Sequence, residues 1–507
     1  MDQINIQPLD SKDECLVKQE TSYLLISALI LGFLFDLLFY GKPLGLSYPL
    51  YIIALYIVLF WNMKKNRLLK FESRLLLGIP ILALSFSYLI YSNQIFAVLN
   101  FVVIPILFVA QTLLLTSNNR YEWFKSQFLL EVIHGIVARP LVNCLKPFSV
   151  ISTFANRGAS PSKFRVASKV FTGFLAAMAL LMIIVPLLAS ADDVFRQLIE
   201  RIPNVFRGLS IGEFVPRLIM VTVVTCLVFS YLWSLFRAKT RLNEAVTEID
   251  SRQKPGAFWD PITTSNMRLL IDLLYAFFMA IQFSYLFGSL RYGLPQNFTF
   301  AQYARKGFFE LVAVTLINLI ILLGAMNFTK ASGSKLDKVV KILNTALVAS
   351  TFVMLLSAHF RMSMYEDVYG FTYLRVLTHA FMGYLFVLFV ITLVKIWRQT
   401  EHLLKYYLVI SVVAYTLINY INIDSIIVKN NLERYNKGNP IDILYLTTLS
   451  YDVVPKLVDL EKKTSDQMLA NQLEKGLSHK KQVLEKEQPW QSFNISRYRA
   501  RTVLSQQ

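Results

Sequence analysis

An all-α, polytopic membrane bundle of about eleven transmembrane helices, carrying a small helical C-terminal module, is the fold this sequence predicts. Three observations predict it. Hydrophobic residues fill 55% of the 507 positions and charged residues only 17%, where a soluble domain averages about a quarter charged. Apolar runs of about 17–25 residues recur along the whole chain, the length that crosses a bilayer as a helix. Lys and Arg gather in the polar loops of one predicted side, the pattern that retains loops in the cytoplasm.

These observations divide the chain into a cytoplasmic N-terminal tail (1–22), four transmembrane helices (23–115), a basic cytoplasmic loop (116–169), a seven-helix transmembrane domain (170–422) and a C-terminal extracytoplasmic helical module (423–507). The polar, partly acidic start does not resemble a cleavable signal peptide, so the first span is expected to remain attached. That span runs from about Tyr23 to Tyr40 and contains Asp36. The second ends near Met63 and meets Lys64, Lys65, Arg67, Lys70 and Arg74, which places this loop and the N-terminus inside. Spans three and four, about Leu75–Tyr91 and Ile95–Leu115, are joined by Ser92-Asn93-Gln94.

In the loop that follows, Val132, Ile133, Ile136, Val137 and Leu141 fall at helical spacing. They predict a basic amphipathic helix, either on the inner membrane surface or packed under the bundle. Span five, about Val170–Ser190, exits at Asp192-Asp193, and short surface helices broken at Pro203 follow. Spans six and seven are about Phe214–Phe236 and Leu269–Leu290. Span eight opens with Tyr303-Ala304-Arg305 and continues to Gly324; span nine covers about Ile342–Phe360. An outer loop, Arg361–Thr372, precedes span ten, Tyr373–Trp397, and span eleven is about Tyr406–Ile421. Beyond it, Gly438-Asn439-Pro440 separates short amphipathic helices, and a charged helix is predicted around Lys456–Leu484.

The net charge of +18 lies mostly in these loops, so no nucleic-acid partner is expected. Cys15, Cys144 and Cys226 fit no metal spacing. The chain has no Walker loop, GxSxG, HExxH or paired CxxC. No metal, cofactor or catalytic residue is therefore assigned, and an enzyme is not the expectation.

The informative residues are ionisable groups within or beside spans. Burying one in lipid costs a few kcal/mol or more, so each faces the bundle, a partner or water. Asp36, Asp272 and His359 lie near the ends of their apolar runs, which favours heads in interfacial water. A larger set shares the outer face. It comprises Asp192 and Asp193 after span five, Tyr285 late in span seven, and Tyr303, Arg305 and Glu310 opening span eight. Tyr369, Arg375 and His379 around the start of span ten, with Asn422 and Asp424 after span eleven, complete it. Acids, arginines and tyrosines gathered there suit an envelope ligand or a dock for the C-terminal module. A plain interfacial rim of aromatic and basic residues gives the same pattern.

Several segments also carry a resemblance. In order they are ADDVF, IQFSYLFGS, YARKGFFEL, YGFTYLR, NIDSIIVKNNLERY and YLTTLSYDVVPKL. Together they resemble bacterial polytopic membrane proteins of domain of unknown function 4173, with relatives under 4153, over roughly Val170–Leu457. The resemblance implies a bacterial plasma-membrane location and a multi-pass architecture. It implies no activity and no functional residue.

Three functions follow as expectations. The first is a non-enzymatic envelope sensor or scaffold whose outer face binds a ligand, and whose C-terminal module binds an envelope or membrane protein. The second is a secondary transporter using Asp272, Glu310 and Arg375 within the lipid bilayer. The third is a membrane-embedded enzyme acting on lipid or glycan, with Asp192, Asp193 or Glu310 as acid or base.

Overall fold

The computed structural model describes residues 11–65, 73–144, 146–148, 150, 192–197, 214–236, 261–288, 308–328, 335–398, 403–486 and 488–506, with single positions at 184, 188 and 190. Most of the fifth span, the helices around Pro203, and Tyr303 and Arg305 lie outside the described residues. All regular structure among the described residues is helical.

Seven of these helices are long and apolar enough to cross a membrane: Thr21–Phe39, Gln94–Leu115, Ser126–Phe148, Pro216–Phe236, Lys335–Tyr369, Tyr373–Trp397 and Leu403–Tyr420. Arg74–Ile90 and Glu310–Gly324 are shorter apolar helices. Their side chains are sorted as a bilayer demands, because lipid accepts apolar surface but not polar groups. Thus Asn100, Gln111 and Thr112 are buried, whereas Val98, Phe101 and Val102 of the same helix are exposed.

The chain forms two compact units, one of residues 1–90, 97–246 and 488–494, the other of 91–96, 247–487 and 495–507. In the first, α1 (Ser11–Phe39) packs along the helix Phe214–Phe236. Gly32 permits the approach, since a Cβ there would collide with Thr225 and the Val221 carbonyl. One turn later Arg217 donates to both Asp36 oxygens, from Nε at 3.1 Å and from Nη2 at 2.6 Å. Asp36 is buried, which corrects the expectation of a carboxylate with its head in water. Its partner on the neighbouring helix makes burial tolerable.

The helix Ser126–Val142 buries Phe128, Val132 and Gly135 and leaves Ile133, Val137 and Leu141 exposed. Gly135 faces Val109, from which an added Cβ would stand 2.7 Å away. The packed face is therefore narrower than the predicted stripe, and the exposed apolar half suits lipid. Near the C-terminus, 488–494 straps this unit together. Ser492 Oγ donates to Pro43 O at 2.8 Å, and Asn494 Nδ2 to Tyr88 O at 2.8 Å.

The second unit contains the helices Pro261–Gly288, Phe308–Phe328, Lys335–Tyr369, Tyr373–Trp397 and Leu403–Tyr420. Leu311, Leu322, Leu347, Met354, Leu385 and Phe389 form their core. A polar file crosses it. Tyr275 donates to Asn318 Oδ1 at 2.6 Å, and Asn318 Nδ2 to Thr351 Oγ1 at 2.9 Å. Nearer one end Arg268 donates to Asn344.

Among the boundaries that differ from expectation, two bear on the polar end of this unit. The helix Lys335–Tyr369 continues through most of the predicted loop Arg361–Thr372, because Met362 and Glu366 find a buried face there. The charged helix predicted around Lys456–Leu484 is two, Val454–Lys463 and Gln467–Glu485. Asp466 starts the second by accepting from the Met468 and Leu469 amides at 2.9 and 3.3 Å, which makes it an N-cap rather than an interior residue. The apolar faces of both close over Ile423, Ile427, Leu446 and Val453, and this core continues into Phe371, Tyr373 and Leu377.

Candidate functional site

The polar residues of the second unit concentrate where the helix Lys335–Tyr369 ends and Tyr373–Trp397 begins. The turn between them needs Gly370, whose φ of +81° is strained for any residue with a Cβ. The next helix to contribute, Ile423–Asn436, starts at Asn422, whose side chain accepts from Ser425 N at 2.9 Å. Two of its residues clamp the Gly370 turn. Asn431 accepts from Phe371 N and donates back to Phe371 O, each at 2.9 Å. Arg434 donates to Asp367 O at 2.9 Å and Val368 O at 2.8 Å.

Beside this clamp lies a frame built from three separate loops. Asn93 Nδ2 donates to Tyr373 OH at 2.8 Å and to Asp424 Oδ2 at 3.0 Å. Ser450 Oγ stands 2.6 Å from Asp424 Oδ2 and 2.9 Å from Asp452 Oδ2. Asp452 Oδ2 also accepts from the Ser92 amide and hydroxyl, both at 3.1 Å. One serine proton cannot serve two carboxylates, so the frame favours a proton on one of them. Burial holds the Asp424 carboxyl above its usual range; hydrogen bonds from Ser450 and Asn93 oppose this, and the Asp452 charge adds to it. Lys480 closes the far side, with Nζ donating to Leu449 O at 2.6 Å and lying 4.8 Å from the Tyr451 ring. Burial lowers its pKa.

The remaining cluster is a relay. His379 Nε2 lies 2.9 Å from Glu366 Oε2, and His379 Nδ1 lies 2.8 Å from His359 Nδ1. With Glu366 ionised and His379 neutral, Nε2–H donates to the carboxylate and Nδ1 accepts from His359 Nδ1–H. Protonated, His379 donates in both directions. Glu366 is buried, and its second oxygen Oε1 has no hydrogen-bond partner among the described residues. Alongside, Arg375 donates to the Tyr369 and Gly370 carbonyls and stacks 4.3 Å above the Tyr365 ring.

The expected site residues therefore separate. Tyr369, Arg375 and His379 belong to the turn and relay, and Asn422 and Asp424 to the adjoining helix start and frame. Glu310 is exposed in the first turn of Phe308–Phe328. Tyr285 lies in Pro261–Gly288, with its side chain outside the described residues, as are Tyr303 and Arg305 entirely. Asp192 and Asp193 belong to the other unit. Asp192 Oδ1 accepts from Val194 N at 2.7 Å, and Asp193 pairs with Arg196 on an exposed turn. His359, expected in interfacial water, is exposed and is also the far member of the relay.

Sequence reading missed Glu366, Asp452, Ser92, Asn93, Asn431 and Arg434. Glu366 follows His359 by seven residues, a helical repeat that a loop assignment concealed. Ser450 and Asp452 precede Pro455, a helix-start signal. Among the described residues no group of three or more His, Cys, Asp or Glu is placed to hold a metal ion.

The comparisons bear on most of this region. The model for a domain of unknown function, DUF4153, matches residues 78–460. The match reaches further toward the N-terminus than the resemblance read from the quoted segments. No curated protein and no solved structure matches the chain.

Proposed function

The chain belongs to the DUF4153 family, a membership that brings no activity with it, and we propose that it is a non-enzymatic sensor or scaffold of a bacterial plasma membrane. In this reading about eleven helices span the bilayer, the N-terminus is cytoplasmic, and the frame and relay face outward. The observation that carries the proposal is the division of labour at the polar end. Asp424 and Asp452 are occupied by Ser92, Asn93 and Ser450, and so hold three loops together. His359, the far member of the relay beside them, is exposed, and among the described residues no hydroxyl or thiol side chain hydrogen-bonds to the relay's rings or carboxylate as an activated pair requires. A ligand meeting Tyr369, Arg375 and His379 would thus act on a rigid platform continuous with the C-terminal helices.

The test places a photo-crosslinking residue at Tyr369, which is 54% exposed, at Met468, 73% exposed, and at Phe33, 62% exposed on a lipid-suited helix. A discrete protein or ligand adduct at 369 or 468, absent at 33, supports the reading. Lipid adducts alone at all three positions overturn it.

A second reading, a secondary transporter, is favoured by one observation. Among the described residues Nε and Nη2 of the buried Arg268 are without hydrogen-bond partners, as are both oxygens of Asp272 one turn on, although the two charges attract each other. Intramembrane charges of this kind mark ion or proton paths. The Asp272→Asn and Arg268→Gln double variant should abolish any proteoliposome flux, and flux that survives it removes this path.

A further inference from the structure

The first unit contains a groove that neither reading uses. It has a volume of about 610 Å³ and lies between the helix Ser47–Lys65 and the segment Leu75–Leu82. Such a volume is in the usual range for small-ligand sites. Ile53, Ile57, Phe60, Ile79 and Leu82 line it, with Lys64 at one end. Its polar back wall is already satisfied. Tyr56 OH donates to Gln111 Oε1 at 2.6 Å, and Gln111 Nε2 donates to Leu75 O at 3.3 Å. An occupant therefore meets hydrocarbon along the groove and needs no hydrogen-bonding atoms there. Gly78 keeps the wall open, since a Cβ at that position would stand 3.2 Å from Gln111 Nε2.

The length and the charge identify the occupant. From Ile53 to Lys64 the helix rises about 16 Å at 1.5 Å per residue. That is close to half of a hydrocarbon core about 30 Å thick, the depth of one leaflet. Trp61 and Lys64, residue types that mark a headgroup level, are both exposed at the same end. Arg74 is engaged elsewhere, donating to Leu114 O at 2.7 Å, and among the described residues Lys64 is the cation that lines the groove.

We propose that this groove is a specific site for an anionic glycerophospholipid, with one acyl chain along Ile53–Phe60 and the headgroup phosphate on Lys64. The site belongs to the leaflet of the basic loop, the cytoplasmic one under the positive-inside rule. A membrane would supply zwitterionic lipid to any apolar groove; the lysine is what selects the charge.

Native mass spectrometry of the full-length protein, delipidated and then titrated with phosphatidylglycerol or phosphatidylcholine, tests this. The wild type should bind one phosphatidylglycerol about fivefold more tightly than phosphatidylcholine, the ratio expected of one lysine near a headgroup. Lys64→Gln should bring the two lipids level, and Lys64→Arg should restore the preference. Ile57→Trp, which adds bulk at an exposed groove position, should weaken both lipids together. Equal binding by the wild type, or a preference that survives Lys64→Gln, overturns the proposal. An unchanged elution volume and helical content for each variant separates loss of the site from loss of the fold.

Discussion

Asn431→Ala is the most direct test of how the Gly370 turn is held. The Asn431 amide satisfies both the N–H and the C=O of Phe371, and its Nδ2 also reaches Ile427 O at 3.0 Å. Ile427 lies within a helix and loses little. Phe371 is in a loop and has no ladder to fall back on. A net hydrogen bond is worth about 1 kcal/mol, and an unsatisfied buried group costs about 1–3 kcal/mol more. Phe371 is only half-buried, so water recovers part of that loss, and about 2–4 kcal/mol remains. The opening free energy of 367–373 should fall by this amount. Hydrogen exchange followed by mass spectrometry, with the protein in lipid nanodiscs, should show protection there reduced about 30- to 1,000-fold. Asn431→Asp keeps the acceptor for Phe371 N but loses the donor, and should fall between wild type and Ala. A change in protection of less than about threefold at 367–373, or a loss spread evenly across the unit, would refute this role for Asn431.

Other outcomes follow from the same geometry. Gly370→Ala should disturb the same turn by about 1–3 kcal/mol, because φ is +81° and the new Cβ would lie 2.5 Å from Asn431 Oδ1; exchange at 367–373 reads it. The raised Asp424 pKa makes the folded state bind the extra proton. Its stabilising contribution is thus complete below the ordinary value of 3.8 and is lost as pH rises through the raised value. The protection factor of 91–96, with the intrinsic pH dependence of exchange divided out, should fall from about pH 4 toward neutrality in the wild type, and Asp424→Asn should flatten that slope. Arg217→Ala leaves Asp36 without its cation. Breaking a buried pair costs about 3–5 kcal/mol. Arg217 is 42% exposed, which reduces this to about 1–2 kcal/mol. Thiol-dye melting that reads the buried Cys144 and Cys226 should shift down by about 2–6 °C, and Asp36→Asn in that background should recover part of it.

Much of the helical content was legible in the linear chain. Whether a stretch can cross a bilayer depends on its own length and apolar content, so Gln94–Leu115 and Tyr373–Trp397 appear in the structure with almost the expected bounds. Local signals failed where a boundary depended on distant packing. Arg361–Tyr369 reads as a polar loop, yet it stays helical because Met362 and Glu366 meet a buried face. Asp466 reads as a mid-helix residue until its cap bonds divide the helix.

The candidate site shows the same division. Membrane helices carrying charged residues near their ends follow from composition, because lipid excludes ions wherever they occur in the chain. Which charges meet was a matter for tertiary structure alone. Ser92 and Asp452 are separated by 360 positions and joined by a 3.1 Å hydrogen bond, and no periodicity within either segment encodes the other. His379 was recognisable as an intramembrane histidine, but its relay exists only because the preceding helix runs on to bring Glu366 alongside. Hydrogen bonds reach about 3 Å, so contiguous sequence can place a helix in the bilayer, whereas the partners of its polar groups depend on where separate helices come to rest.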